Sequence, residues 1–233
     1  MENNSLEKMS DFFNVRADNY DLNHISGIDG GIESKNLLAT FIPADTEKLL
    51  DFGIGTGLEL IEIIKRFPNT KITGIDISAN MLKKIGERFP QSNIKLLCGD
   101  YLDLDFGISC FDVVLSSMTL HHYTHAVKLE LYKKIHRCLS ETGIYIENDY
   151  MLSEHEYNDP QKQEDYLFSE YKRIKHNQHL ADDTYYHFDT PCTVENQKKL
   201  LLSSGFLYVK EVWRKKNNVT LLAYKGISLE CTK

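Results

Sequence analysis

Short apolar runs alternate along this chain with segments of helical periodicity, the arrangement that builds a parallel sheet covered by helices. The first run is Lys48 to Phe52, followed at once by a glycine-rich turn. Leu60, Ile61, Ile64 and Phe67 then recur at helical spacing, and Pro68 stops that helix. Lys71 to Asp76 reads as a second strand. Ser78 is placed to cap a helix whose buried face is Met81, Leu82, Ile85 and Phe89. Ile94 to Cys98, Phe111 to Leu115 and Gly143 to Glu147 supply three more strands. An amphipathic helix through Val127, Leu131, Ile135, Cys138 and Leu139 precedes the last of them.

The pattern breaks between residues 150 and 190. That stretch holds six of the thirteen tyrosines and four of the nine histidines, with no clear strand. Leu167, Tyr171 and Ile174 keep helical spacing, which predicts a mostly helical insertion lying over the strand ends. Thr193 then caps a helix through Leu201, with Gly205 as its stop. Phe206 to Trp213 and Val219 to Tyr224 read as a hairpin around Asn217-Asn218. Ahead of the first strand, one or two helices are expected around Ser10 to Tyr20 and Ile32 to Phe41. The sum is an α/β chain: a Rossmann-like, doubly wound, mostly parallel seven-stranded sheet with an antiparallel C-terminal hairpin and a helical insertion. Residues 1–44 are expected to form a helical lead-in or cap, 45–149 and 190–226 the sheet domain, and 150–189 a lid on the substrate side.

Composition narrows the function. The 233 residues are 42% hydrophobic and 26% charged, enough to bury a sizeable core. A net charge of −7 argues against a surface that grips phosphate backbones, so nucleic acid is not an expected partner. The basic run Arg214 to Lys216 reads as a solvated turn. Five scattered cysteines without CxxC spacing predict free thiols and a reducing compartment. No basic-then-apolar start and no apolar stretch near the roughly 20 residues of a membrane span is visible, so the expected location is the cytoplasm. His155, His176, His179 and His187 lack a recognisable metal spacing, and no metal is expected. A homodimer is left open.

The chemistry concentrates at Asp51-Phe52-Gly53-Ile54-Gly55-Thr56-Gly57, between a strand and a helix. Open α/β sheets bind ligands there, and glycines let backbone approach a ligand without a Cβ in the way. A dinucleotide fingerprint requires its third glycine where Leu58 stands. Nineteen residues after Gly57 the second strand ends at Asp76, an acid able to accept hydrogen bonds from both ribose hydroxyls. Leu97-Cys98-Gly99-Asp100-Tyr101 ends the third strand, and Phe111 to His122 runs through the fourth. The order of these motifs, with the Leu131 to Tyr145 stretch and the lead-in Phe13-Asn14-Val15-Arg16-Ala17-Asp18-Asn19-Tyr20-Asp21, resembles the class I S-adenosylmethionine-dependent methyltransferases of the small-molecule type.

That resemblance covers about residues 10 to 150 and implies the cofactor S-adenosyl-L-methionine, with S-adenosyl-L-homocysteine as product. It places the turn at Asp51, Gly53, Gly55 and Gly57 and the ribose at Asp76, with Ile77 and Met81 beside it. It puts the adenine at Asp100 and Tyr101, the methionine part near Ser116 and Ser117, and Tyr20 over the cofactor. Such enzymes need no fixed catalytic residue, because the sulfonium is already the electrophile. His121 and His122, just past the fourth strand, are the candidates for a base, with His24 a further one. The acceptor is expected to be a small molecule. Two alternatives stay open: a carboxy-S-adenosylmethionine synthase-like enzyme linked to tRNA modification, with Arg214 as its arginine, and a binding protein without turnover.

Overall fold

Lys48–Phe52 (β1) sits in the middle of the molecule because four of its five residues are buried, as a central parallel strand covered on both faces requires. It pairs in parallel with β2 (Lys71–Asp76) on one side and β4 (Phe111–Ser117) on the other. β3 (Ile94–Cys98) extends the sheet beyond β2, and β5 (Leu139–Tyr150) lies beyond β4. β6 (Tyr208–Lys215) and β7 (Asn218–Tyr224) form the C-terminal hairpin, giving the seven-stranded order β3-β2-β1-β4-β5-β7-β6 with only β7 antiparallel. This is the Rossmann-like, doubly wound sheet expected from the apolar runs. The structure is a computed structural model that describes residues 5–226 apart from 93, 182 and 183, and omits the side chains of 23–26. His24 and Cys231 therefore lie outside what is described.

Helices cover both faces. α3 (Gly31–Leu38), α4 (Leu60–Arg66) and α5 (Ala79–Arg88) contribute to a core with Leu49, Ile63, Ile85 and Ile146. α6 (His125–Cys138) and α8 (Val194–Ser203) cover the opposite face, where Leu50, Phe52, Leu131, Tyr132 and Tyr145 are buried. Ser78 caps α5 by accepting the Met81 N–H at 3.2 Å, and Thr193 caps α8 by accepting that of Asn196 at 3.2 Å.

Several local expectations change. In α4 the buried residues are Leu60 and Ile63, and Ile61 faces out at 45% exposure; the run of isoleucines fits two helical phases, and packing selects one. Leu139 begins β5 instead of ending α6. The N-terminal segment forms three helices: α1 (Met9–Arg16), α2 (Tyr20–Gly27) and α3. The middle helix went unread because glycine, asparagine and histidine dilute its apolar pattern. The insertion contains α7 (Pro160–Asn177), whose Tyr171 is buried and stacks on Phe188 at 5.5 Å. Beyond it the chain returns beside the N-terminus: Lys8 bridges Tyr186, and the His187 N–H donates to the Glu7 carbonyl at 2.9 Å. No helix among the described residues is long and apolar enough to cross a membrane.

Candidate functional site

The order of strands reverses between β1 and β4, and a crevice opens there at their C-terminal ends. Gly53 and Gly55 turn the backbone through φ of +65° and +54° at that point. A Cβ on Gly53 would lie 2.2 Å from Thr119 Oγ1, so only glycine fits. At Gly55 nothing approaches within 3.8 Å of such a position, and the backbone stays open toward the Tyr20 ring. Gly57 instead packs against Phe89, Ile85 and Leu60, letting α4 lie close to α5.

Across the turn, Asp76 ends β2 with both carboxylate oxygens anchored. Oδ2 accepts the Gly55 N–H at 2.9 Å and Oδ1 the Ser78 N–H at 2.8 Å. Each oxygen keeps a second lone pair for a ligand hydroxyl. Burial raises Asp76 to about 6, against the lowering effect of those two N–H groups. Asp100 ends β3, raised by burial and holding the Leu102 N–H at 2.8 Å. One cavity gathers Tyr20, Gly53, Gly55, Asp76, Ile77, Met81, Asp100 and Tyr101, together with Phe13, Met118, Thr119 and His122. Its volume is about 30 Å³, room for one water, with Phe13 of α1 and Tyr20 of α2 lying against it. The α1–α2 cap is tied both to α5 and to the segment that follows α7. Lys84 pairs with Asp18 at 2.6 Å, Arg88 pairs with Asp21, and Asn80 donates to the Asn14 carbonyl at 2.9 Å.

Beneath the turn, Asp51 is 1% exposed and neither carboxylate oxygen has a hydrogen-bond partner. Burial, and then the neighbouring Glu59, push it well above the usual carboxylate range. Glu59 is itself buried and bonds Lys35 Nζ at 3.0 Å, and the same ammonium donates to Ser117 Oγ at 3.1 Å. This acid–lysine group was not legible beforehand, because Lys35 and Glu59 lie 24 residues apart in ordinary-looking helical sequence. Ser116 and Ser117 do not line the cavity. Ser116 Oγ meets Tyr145 Oη at 2.6 Å, and Ser117 is occupied by Lys35 and Asn148. Met118, at φ +55°, turns the chain after β4, and Met118 and Thr119 face the cavity in their place.

His121 and His122 follow that turn, both buried. His121 Nδ1 bonds Asp149 Oδ1 at 2.5 Å. Burial opposes charge on His121, but the Asp149 carboxylate outweighs it and raises the ring. His122 is lowered by burial and by His121 beside it. Asp189, on the segment that follows α7, faces both rings; burial would raise it, but the adjoining imidazoles hold it well below the usual range. Most of the insertion tyrosines form no pocket here: Tyr171 and Tyr186 are buried within the lid, while Tyr150 Oη and Tyr157 Oη lie 3.3 Å apart. A larger groove of about 1090 Å³ lies between the 152–161 loop, the start of α8 and β6. It contains Arg214, bound to Glu211 at 2.6 Å, and neither the glycine turn nor Asp76. The basic run is thus paired throughout, Lys215 with Glu33 at 3.2 Å and Lys216 with Asp29 at 2.9 Å.

Residues 49–143 match the family described as a methyltransferase domain. The matched stretch runs from β1, through the glycine turn, to the first part of β5. It is 26% identical over 201 residues to a carboxy-S-adenosyl-L-methionine synthase of Nautilia profundicola, covering 82% of each chain. It is 28% identical over 195 residues to a phosphoethanolamine N-methyltransferase of Plasmodium falciparum, covering 83% of this chain and 70% of that one. In fold it resembles the crystal structure of a putative O-methyltransferase from Nostoc punctiforme, with a TM-score of 0.70 and 19% identity. That superposition covers 97% of this chain and spans 64% of the other, less than two thirds of its length. The residues present fit S-adenosylmethionine, the cofactor that such a domain implies. The glycine backbone is open at Gly55, Asp76 and Asp100 stand at the nucleoside end, and Asp51 is a buried acid without a partner.

Proposed function

We propose that the protein transfers the methyl group of S-adenosylmethionine to a small-molecule acceptor reached on the His122 side of the cavity. What supports this most is the convergence of the Gly53–Gly55 backbone, Asp76, Asp100 and the cap ring of Tyr20 around one cavity. The bound cofactor supplies a carbon already activated by its sulfonium. The chain's own residues do the rest. Asp76 orients the ribose, Asp100 and Tyr101 flank the base, and Asp51 with the Lys35–Glu59 pair sets the polarity beneath the turn. Tyr20 and Phe13 close over the site and exclude water, which strengthens every electrostatic contact inside. His122 touches the acceptor, and His121, fixed by Asp149, positions it. The acceptor's lone pair forms the new bond to the methyl carbon as the carbon–sulfur bond breaks, and the acceptor's proton leaves to solvent.

The free thiols of Cys98, Cys110, Cys138 and Cys192 support a reducing compartment, and we place the protein in the cytoplasm. A second reading, a carboxy-S-adenosylmethionine synthase, is favoured by the Nautilia relative. The position of Arg214, tied to Glu211 in the separate groove, opposes it. Mass spectrometry of the ligand released from protein purified from cells separates the two: a carboxylated sulfonium favours the second reading. Thermal shift tests the first. S-adenosylmethionine and S-adenosylhomocysteine raise the melting point by mass action, about 2.7 kcal/mol at a hundredfold excess over Kd, and Asp76→Ala abolishes the rise. Stabilisation by NAD and by neither sulfur compound would reject the proposal.

A further inference from the structure

We propose that His121, His122 and Asp189, with His187 beside them, form a divalent transition-metal site at the acceptor end of the cofactor cavity. Three segments far apart in sequence deliver these groups. His121 and His122 follow β4, Asp149 ends β5 behind them, and His187 and Asp189 lie on the segment that returns from α7. Asp189 Oδ1 is the point of convergence: 3.0 Å from His122 Nδ1, 3.8 Å from His121 Nε2 and 4.0 Å from His187 Nε2. Donors each about 2.0–2.2 Å from one ion stand roughly 3–4 Å from one another; each imidazole stands at that distance from the Asp189 oxygen, and the ligand atoms of His121, His122 and Asp189 all lie within 4.8 Å of one another.

The surroundings match those of a ligating histidine. With Asp149 accepting a hydrogen bond from His121 Nδ1–H, the Nε2 lone pair faces the Asp189 oxygen. Asp149 is fixed in turn by the backbone N–H groups of Leu120 at 2.9 Å and Tyr150 at 2.8 Å. His122 Nδ1 is buried with no hydrogen bond of acceptable geometry, although it is aimed into the cluster. His187 is held by its ring, stacked on Phe12 with centroids 3.4 Å apart, and by its backbone bond to Glu7. Imidazoles with one carboxylate suit zinc, cobalt, nickel or ferrous ions. Asp189 is half exposed, so a coordination position stays open to a ligand.

A second group of possible ligands, His125, Glu164 and Cys192, is less suited to a cation. There Lys128 Nζ already lies 3.3 Å from the Cys192 sulfur, and Asn196 Nδ2 donates to Glu164 at 3.0 Å. At the first cluster no lysine or arginine intervenes among the described contacts, and His122 lines the cavity. On the methyl-transfer reading, an acceptor hydroxyl or thiol completes the coordination. The ion lowers its pKa, its proton passes to solvent, and the resulting anion attacks the methyl carbon while the bond to sulfur breaks. That role rests on the proposed function; the existence of the site does not.

The test uses the full chain stripped with a chelator and titrated with Co²⁺. The expected result is one bound equivalent with visible d–d bands and no sulfur-to-cobalt charge transfer. Asp189→Ala, at a half-exposed position, and His122→Gln each weaken binding by at least about tenfold, whereas His125→Ala leaves it unchanged. Circular dichroism of each variant checks that it has folded. Binding no tighter than that of Asp189→Ala, or lost in His125→Ala instead, overturns the site. Thermal shift with S-adenosylmethionine in the presence of chelator is read separately. Cobalt binding without a cofactor shift would sink the proposed function and leave the metal site standing.

Discussion

The two walls of the cavity are built by different means. The sheet wall is backbone: Gly53 and Gly55 turn at the end of β1, and Asp76 is held by two N–H groups. The cap wall is side chain: Phe13 and Tyr20 lie over the site on short helices tied down by exposed or half-exposed ion pairs. A wall fixed by ladder hydrogen bonds sets a ligand's position before it arrives. A wall fixed by side chains moves to admit it. On the proposed function, recognition of the cofactor is assigned to the first wall and choice of acceptor to the second.

The sharpest way to break this contrast is Gly53→Ala. Its Cβ would meet Thr119 Oγ1 at 2.2 Å in a backbone of φ +65°, at a cost of about 2–3 kcal/mol. Cofactor affinity measured by calorimetry should fall about 100-fold, and unchanged affinity would mean the turn is not rigid. The next largest effect is pH. Asp76, raised to about 6 by burial, is ionised above that value and accepts from ribose. As pH falls below 6 the acid is neutralised, and S-adenosylmethionine affinity should drop by about tenfold per unit. A flat profile from pH 7 to 5 would remove Asp76 from recognition.

Glu147 tests the interior of the rigid half. It is fully buried, bonded to Tyr132 Oη at 2.8 Å and Gln197 Nε2 at 2.5 Å, and raised to about 8 by burial. The folded state therefore holds this proton where the unfolded chain, near 4.5, has lost it. Stability contributed by the neutral acid is complete below 4.5 and is lost as pH rises to 8. Glu147→Gln should flatten that part of the melting-temperature profile, and an identical profile would show that the carboxyl is already ionised. The smallest effect belongs to the cap. Asp21→Ala removes the Arg88 pair and the 2.5 Å bond from Thr56 Oγ1. It should lower stability by about 1 kcal/mol or less and speed cofactor dissociation in stopped flow by about fivefold. Slower dissociation would mean the cap does not gate the site.

How much of this was legible follows the same division. β1, β2 and β4 could be read because buried parallel strands are continuous apolar runs, and the glycine turn and Asp76 because their spacing is local. The serines after β4 misled. Alternation along the strand points Ser116 at Tyr145, and Ser117 is occupied by Lys35; neither partner can be read from neighbouring positions. His121 and His122 were visible as a pair, but Asp149, His187 and Asp189 join them only through the fold. Lys35 and Glu59 escaped notice for the same reason.

β7 has one more consequence, for synthesis. It is threaded between β5 and β6, so a strand made after both of its neighbours lies inside the sheet and not at its rim. While the chain emerges from the ribosome, β5 presents an unpaired hydrogen-bonding edge from Ile144 to Tyr150 until residues 218–224 arrive. The nascent protein thus passes through a stage at which a neighbouring chain can dock where residues 218–224 belong.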